Sequence, residues 1–238
     1  MPEANPYATP QQVAVEMANP ILAGFKKPGA MAALALVLIT VANLGGDAGL
    51  ILSELLHWDA MWWLANFGKM LTPLALLGST FFLIWFYRVT YNARLFYGAE
   101  LSHSPGMAVG GFFIPFANLV LPCGAMLDVF AKTSLALERR PARWLVYSWW
   151  LTFLASNILI KFSNRVTDLG LAPFGLRVVA LGFLIALVVT LTSGQYRVVT
   201  SPELAKKLPI IPRPAGIFPW NKEAGPPLPR KPPSSEDW

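Results

Sequence analysis

The sequence is poor in charged residues, cysteine and histidine. Charged residues make up 13% of its 238 positions, about half the share of an ordinary soluble domain. The single cysteine, Cys123, excludes an internal disulfide and a metal site built from clustered cysteines. The two histidines, His57 and His103, leave little material for zinc or haem binding within one chain, so we expect no cofactor and no metal.

Enzyme signatures are also missing. The chain has no H-E-x-x-H, no G-x-S-x-G, no phosphate loop and no dinucleotide fingerprint, so we expect a protein that is not an enzyme. The net charge of +6 does not argue for nucleic acid, because no recognition motif accompanies it. A membrane protein gathers Lys and Arg in its cytoplasmic segments, which accounts for the same excess.

What the sequence does have is apolar residues, at 55% of the chain. A membrane-spanning helix needs roughly 20 of them in a row, because it rises about 1.5 Å per residue across about 30 Å of hydrocarbon. The apolar blocks are too long and too continuous for the alternating strands of a barrel. No cleavage site follows the first block, which we expect to be an uncleaved helix. The five blocks cover residues 30–52, 66–86, 106–126, 144–162 and 173–192.

The third block, GMAVGGFFIPFANLVLPCGAM, differs from the others by its breaks. Pro115 and Pro122 each remove a backbone N–H donor, and Asn118 lies between them. If this block enters the membrane and turns back, most of the 19 Lys and Arg residues lie on the same side as the N-terminus; if it crosses, most lie outside. The positive charge of cytoplasmic segments favours the first arrangement. A proline-kinked helix that spans the membrane stays the alternative.

These blocks predict an all-α integral membrane protein with four transmembrane helices and one proline-broken re-entrant hairpin. The spans are expected at 30–52, 66–86, 144–162 and 173–192, and the hairpin at 106–126. A polar N-terminal arm, residues 1–29, and a proline-rich tail, residues 194–238, flank the helical domain of residues 30–193. Both flanking segments are expected in the cytoplasm.

The tail contains PPLPRKPP, residues 226–233, a segment suited to a polyproline II helix with a basic flank. One interpretation is a ligand for an aromatic groove on a partner protein. The other is a solvated tail that buries too little surface to fold. On the first interpretation, the candidate partner contacts are Pro226, Pro227, Pro229, Arg230 and Trp238.

Residues 86–130 carry aromatic, glycine, proline and asparagine residues in a fixed order. The positions concerned are Tyr87, Arg88, Asn92, Gly98, Ser104, Pro105, Gly106, Ala108, Val109, Gly110, Phe112, Phe113, Pro115, Asn118, Pro122, Ala125 and Met126. This pattern resembles a bacterial membrane-protein family known as a domain of unknown function (DUF4328-like). The chain departs from the family at Gly111, Phe112 and Cys123, where the family usually has other aromatic residues. The resemblance implies a multi-span membrane protein with this hairpin as its signature, and it carries no known activity, ligand or catalytic residue. We expect the protein in the bacterial inner membrane.

The same stretch offers a candidate pocket. Arg88 and Asn92 are four residues apart and share a helix face, while Ser104 precedes a proline in a normal helix opening. Asn118 sits between two half-helices, and such ends at membrane depth hold ions or anionic groups. These four side chains are therefore expected to line a pocket open to the cytoplasm. Alternatively, the asparagines satisfy backbone groups that the two prolines free, and Arg88 reaches lipid phosphate.

Three further polar residues lie inside the apolar blocks. Asp47 falls near the outer end of the first block, where we expect a structural role. Asn43 and Asn157 are expected to hydrogen-bond between helices.

Two functions fit this pattern. The first is a non-catalytic accessory subunit of a larger bacterial membrane complex, motivated by the missing catalytic residues and the long tail. The alternative is a small transporter, channel or lipid-binding protein that uses the pocket at the hairpin. The expected partners are membrane lipids and other membrane-protein subunits, and no nucleic acid.

Overall fold

The computed structural model describes residues 24–56, 66, 69–97, 101–163 and 172–208. Within these ranges the chain forms helices and connecting turns without any β-strand, which confirms the predicted all-α class. The helices follow the long apolar runs and are interrupted where glycine and proline gather. Their bounds are α1 Gly29–Leu56, α2 Thr72–Tyr97, α3 Pro105–Gly110, a 3-10 turn Ala117–Leu119, α4 Leu121–Ala136, α5 Arg143–Ser163, α6 Ala172–Thr200 and α7 Pro202–Lys207.

Four segments of the described ranges are long and apolar enough to cross a membrane, which supports a membrane protein on length and composition. They are Gly29–Gly49, Thr72–Phe96, Ala117–Ala136 and Ala172–Thr200. Three of them overlap predicted spans. The remaining one, Ala117–Ala136, falls partly in the predicted hairpin. The predicted span 144–162 forms α5 but is not among them.

Helix α1 runs antiparallel to both α2 and α6. Gly29 at its start lies beside Tyr196 near the end of α6, and Asp47 further along pairs with Arg177 near the start of α6. The backbone of Lys26, just before α1, bonds to Asn92 near the end of α2. One end of the bundle therefore holds the start of α1 and the ends of α2 and α6. We call this the arm end, and the opposite one the far end.

The core is built where α4 packs against α2, α5 and α6. Trp85 of α2 is fully buried, and its Nε1 donates to Thr192 Oγ1 of α6 at 3.0 Å, so the buried indole N–H is satisfied. The side chains packed around it are aromatic and aliphatic. The largest fully buried members of this cluster are Trp85, Phe86, Met126, Leu187 and Leu191.

The chain turns back between α3 and α4, which contact each other. Gly111 lies so close to Leu121 that a Cβ on the glycine would stand 2.9 Å from the leucine Cβ. His103 Nδ1, before α3, lies 3.1 Å from Asp128 Oδ2 in the middle of α4. The turn itself exposes its apolar side chains, and Phe116 adopts a positive φ of 62°. The predicted break at the two prolines is thus a helix–turn–helix rather than one kinked helix.

Two expectations need correction, one about asparagines inside helices and one about where the helical domain ends. Asn43 and Asn157 were expected to join helices, but each donates to a carbonyl of its own helix, Ile39 at 2.7 Å and Phe153 at 2.8 Å. An amide that reaches the carbonyl four residues earlier needs no partner helix. The helical domain also runs past residue 193, because α6 continues to Thr200 and α7 follows it. Ala205 of α7 and Leu208, which directly follows α7, pack on Phe96 and Val198.

Candidate functional site

A buried polar network lies at the arm end. Asn92 and Gln195 are both fully removed from solvent. The Asn92 amide donates to Gln195 Oε1 at 3.0 Å, and the Gln195 amide donates to the Val89 carbonyl at 2.8 Å. Thr133 Oγ1 of α4 lies 3.4 Å from the same Gln195 nitrogen. The network thus joins α2, α4 and α6 through satisfied amides, which is how a buried polar group avoids a desolvation penalty.

The network also holds residues 24–28, the segment that leads into α1. Asn92 accepts a hydrogen bond from the Lys26 N–H and donates one to the Lys26 carbonyl, both at 2.9 Å. Phe25 stacks on Phe96 at 6.5 Å and meets the edge of Tyr196 at 5.8 Å. The backbone of this segment is therefore fixed on the ends of α2 and α6, and its lysine side chains start from defined positions.

Lys26, Lys27 and Arg88 stand at the rim of a cleft of about 570 Å³, which we call the cationic cleft. Arg88 Nη1 donates to the Lys27 carbonyl at 2.7 Å. The Lys26 ammonium lies over the rings of Tyr91 and Tyr87, 4.3 and 5.0 Å from their centroids. No carboxylate in the described ranges forms an ion pair with any of these three cations. Among the described residues, the positive charge of the cleft therefore has no paired carboxylate.

The cleft changes from cationic to apolar along α2. Thr80, Ile84 and Arg88 are four residues apart, so they lie on one helix face. Ile84 and Leu83 line the cleft below Arg88, and Val109 of α3 lines it from the side. The hydroxyl of Thr80 is occupied, because it donates to the Leu76 carbonyl at 2.9 Å within its own helix. One end of the cleft thus suits an anion and the other suits hydrocarbon.

Of the four residues predicted to line one pocket, Arg88 alone lines the cationic cleft. Asn92 lies one turn further along α2, buried behind it. Ser104 caps α3, where its hydroxyl accepts from the Met107 N–H at 3.1 Å. Asn118 lies in the 3-10 turn between α3 and α4, half-buried and outside the cleft lining. The structure therefore separates the predicted set into a cleft residue, a core residue, a helix cap and a turn residue.

The remaining predicted site residues divide in the same way. Pro115 lies in the turn after α3, and Pro122 lies in the first turn of α4, where its missing N–H costs no helical hydrogen bond. The candidate partner contacts lie outside the described residues, namely Pro226, Pro227, Pro229, Arg230 and Trp238.

A second, smaller cavity of about 280 Å³ lies at the far end, between α1, α2 and α6. Its polar lining includes Asp47, Arg177 and Asn43. Arg177 Nη1 donates to Asp47 Oδ1 at 2.5 Å. The other carboxylate oxygen of Asp47 is buried and accepts no hydrogen bond from the described residues. This pair ties α1 to α6, consistent with the structural role expected for Asp47.

Sequence reasoning missed the residues that complete the cleft and its support. Lys26 and Lys27 were counted only as part of the positive charge near the N-terminus. Tyr91 falls four residues after Tyr87, and this spacing on the helix of Arg88 was a usable signal. Gln195 was overlooked, although an amide at the end of an otherwise apolar block is itself a sign of a hydrogen bond between helices.

Comparison with known proteins gives one match. The family model described as Domain of unknown function (DUF4328) matches residues 52–194, more than half of the chain. The matched region contains Tyr87, Arg88 and Val109 of the cleft, whereas Lys26 and Lys27 precede it. No curated protein and no solved structure matches the chain.

Proposed function

The chain belongs to the DUF4328 family, a domain of unknown function, and from its geometry we propose that it binds an anionic lipid in the cationic cleft. The observation that carries this proposal is the graded cleft itself. Lys26, Lys27 and Arg88 meet at one end without a paired carboxylate among the described residues, and Leu83, Ile84 and Val109 line the rest. Guanidinium and ammonium groups bind phosphate through charge-assisted hydrogen bonds. The apolar wall of the cleft can pack against the acyl chain of the same lipid.

The proposal includes a placement in the bacterial inner membrane. Helices α1, α2, α5 and α6 span it, residues 106–126 form a re-entrant hairpin, and both termini lie in the cytoplasm. The turn between α3 and α4 supports this arrangement, because the chain reverses there and the two helices contact each other.

The distribution of charge supports the arm end as the cytoplasmic one. At the far end, the described ranges carry Lys69, Lys161 and Arg177. The ends of α2, α4 and α6 and the connector between α4 and α5 carry many more basic residues, as cytoplasmic segments do. The cytoplasmic leaflet is also the one that carries anionic lipid at its surface. The described basic residues at or after those helix ends include Arg94, Lys132, Arg139, Arg140, Arg143, Arg197 and Lys207.

Cysteine labelling tests the orientation. In a Cys123→Ala background, Arg140→Cys should react with an impermeant maleimide in inverted membrane vesicles and not in intact spheroplasts, while Lys69→Cys should show the reverse. Both positions are exposed, so reagent access is controlled by the membrane alone. Labelling of the cysteine at position 140 from outside the cell contradicts the proposed topology.

Lipid binding is tested with purified protein by native mass spectrometry, with phosphatidylglycerol against phosphatidylcholine. We expect the anionic lipid to remain bound under conditions that release the zwitterionic one. Arg88→Gln should weaken phosphatidylglycerol binding at least about tenfold, the equivalent of one charge-assisted hydrogen bond. Arg94→Gln is the matched control, because Arg94 lies on the same helix and does not line the cleft. Equal losses in the two variants, or no loss in Arg88→Gln, contradict the proposal.

The accessory-subunit hypothesis remains a second proposal. The absence of catalytic motifs and the basic, proline-rich segment 226–233 support it, and the segment lies outside the described residues. Gentle solubilisation of native membranes and mass spectrometry of co-purifying proteins test it. We expect proteins that co-purify with the full chain and are lost when residues 226–238 are removed. If neither the full chain nor the truncated chain brings a partner with it, the hypothesis is contradicted.

A further inference from the structure

We infer that the cationic cleft selects lipids whose head group is a phosphomonoester over lipids whose phosphate is a diester. This inference rests on the proposed lipid-binding function and names its ligand class. It is carried by the number of fixed cations, by the way in which each is held, and by the absence of a carboxylate partner among the described residues.

Arg88 is oriented without being consumed. Its Nη1 donates to the Lys27 carbonyl at 2.7 Å, which sets the plane of the guanidinium. A guanidinium has five N–H donors, so the remaining ones are available to a ligand. Because two parallel N–H donors match two oxygens of one phosphate, Arg88 by itself satisfies the single charge of a phosphodiester.

Lys26 supplies a second cation in a fixed place. Its backbone N–H donates to Asn92 Oδ1 and its carbonyl accepts from the Asn92 amide, and its ammonium rests over the rings of Tyr87 and Tyr91. The aromatic rings add attraction for the ammonium without neutralising its charge. Lys27 follows directly, with its carbonyl already bound to Arg88. At least two cations therefore meet a ligand phosphate with their positions set beforehand.

The charge of the ligand decides between the two lipid classes. A phosphomonoester carries about −1.5 to −2 at pH 7 and presents three terminal oxygens, because its second pKa lies near 6. A phosphodiester carries one negative charge and has only two free oxygens. The monoester therefore engages Arg88 and the lysines together, whereas the diester leaves one or two cations of the cleft without a partner.

The experiment compares phosphatidic acid, phosphatidylglycerol and inorganic phosphate by native mass spectrometry of the full chain. At pH 7.5 we expect phosphatidic acid to bind at least about tenfold more tightly than phosphatidylglycerol. The preference should shrink towards pH 5, because the monoester then loses its second charge. Phosphatidylglycerol binding should stay flat over the same range, since a phosphodiester keeps its single negative charge there.

Two variants separate the roles of the cations. Lys26→Gln should lower phosphatidic acid binding about tenfold or more and remove its pH dependence, with a smaller effect on phosphatidylglycerol. The variant keeps its fold, because both hydrogen bonds between Lys26 and Asn92 use backbone atoms of Lys26 and not its side chain. Lys27→Gln provides the same test at a position whose contact with Arg88 is also through its backbone. Arg94→Gln again serves as the control.

The outcomes distinguish this inference from the proposed function. If phosphatidic acid and phosphatidylglycerol bind equally, and both are lost in Arg88→Gln, the lipid site stands and the monoester preference is overturned. If neither lipid binds, both proposals fail. If inorganic phosphate binds as tightly as phosphatidic acid, the acyl chain contributes nothing, and the cleft is a site for free phosphate instead of lipid.

Discussion

Asn92 and Gln195 lie 103 positions apart in the sequence and bind each other at 3.0 Å in the fully buried interior of the arm end. Asn92 also accepts a hydrogen bond from the Lys26 N–H and donates one to the Lys26 carbonyl. The same side chain thus joins two membrane-length helices and positions a lysine of the cationic cleft. If the cleft binds lipid as proposed, stability and binding are coupled through this one residue.

Asn92→Leu is therefore expected to lower the free energy of unfolding by about 1–3 kcal/mol, since Gln195 Oε1 and the Lys26 carbonyl lose their partner in a buried place. It should also weaken phosphatidylglycerol binding, because residues 24–28 lose their clamp. Thermal unfolding in detergent measures the first effect. Asn157→Leu is the matched control: its amide bonds within its own helix and is exposed on α5, so its change should stay within about 0.5 kcal/mol. Similar losses for the two leucine variants contradict this assignment.

The turn between α3 and α4 depends on Trp150. Its Nε1 donates to the Leu119 carbonyl at 2.9 Å, which satisfies a backbone group in a non-helical segment. Trp150→Phe keeps an aromatic ring and loses that bond, so we expect a loss of about 1 kcal/mol and faster proteolysis of the turn. Trp149→Phe is the control, because the Trp149 indole N–H donates to no described residue. This variant should leave the turn protected. Faster cleavage in Trp149→Phe than in Trp150→Phe counts against this anchor.

The ion pair between Asp47 and Arg177 predicts an asymmetry. The Asp47 side chain is 6% exposed and the Arg177 side chain 29%. Arg177→Leu strands a buried carboxylate and should cost about 3–5 kcal/mol, whereas Asp47→Leu leaves an arginine that reaches solvent and should cost less. The double variant Asp47→Leu/Arg177→Leu should recover most of the loss, because two apolar residues need no partner. Unfolding midpoints of the three variants check the order, and a double variant as unstable as Arg177→Leu contradicts it.

The sequence was sufficient for the helical class, for three helices long and apolar enough to cross a membrane, and for the break near Pro115 and Pro122, because long apolar runs and missing N–H donors act locally. It was misleading for Asn43 and Asn157. Whether an amide in an apolar helix turns to a neighbouring helix or to its own carbonyls depends on which face it occupies, and periodicity is weak when all faces are apolar.

The cleft shows the other limit. Arg88 was found because it lies in the patterned stretch, but its neighbour Lys27 comes from a segment 61 positions earlier. Lys26 reaches Asn92 across 66 positions through its backbone atoms, which carry no residue-specific signal. The predicted grouping with Ser104 and Asn118 assumed that half-helix ends meet at one depth. Ser104 instead caps α3 at its start, while Asn118 lies in the turn after it.

Gly78 lies where α1 and α2 approach closely and gives the sharpest packing test. A Cβ at this position would lie 3.0 Å from Leu38 Cβ and 3.0 Å from the backbone nitrogen of Ile39. A backbone atom cannot rotate away as the tip of a side chain can, so Gly78→Ala must push the two helices apart, at about 1–3 kcal/mol. Gly182→Ala in the interior of α6 meets nothing within 4 Å and should be neutral or stabilising by up to about 1 kcal/mol, because alanine favours the helix. Opposite signs for the same chemical change isolate packing from helix propensity, and equal shifts in thermal unfolding would show that α1 and α2 do not meet at Gly78.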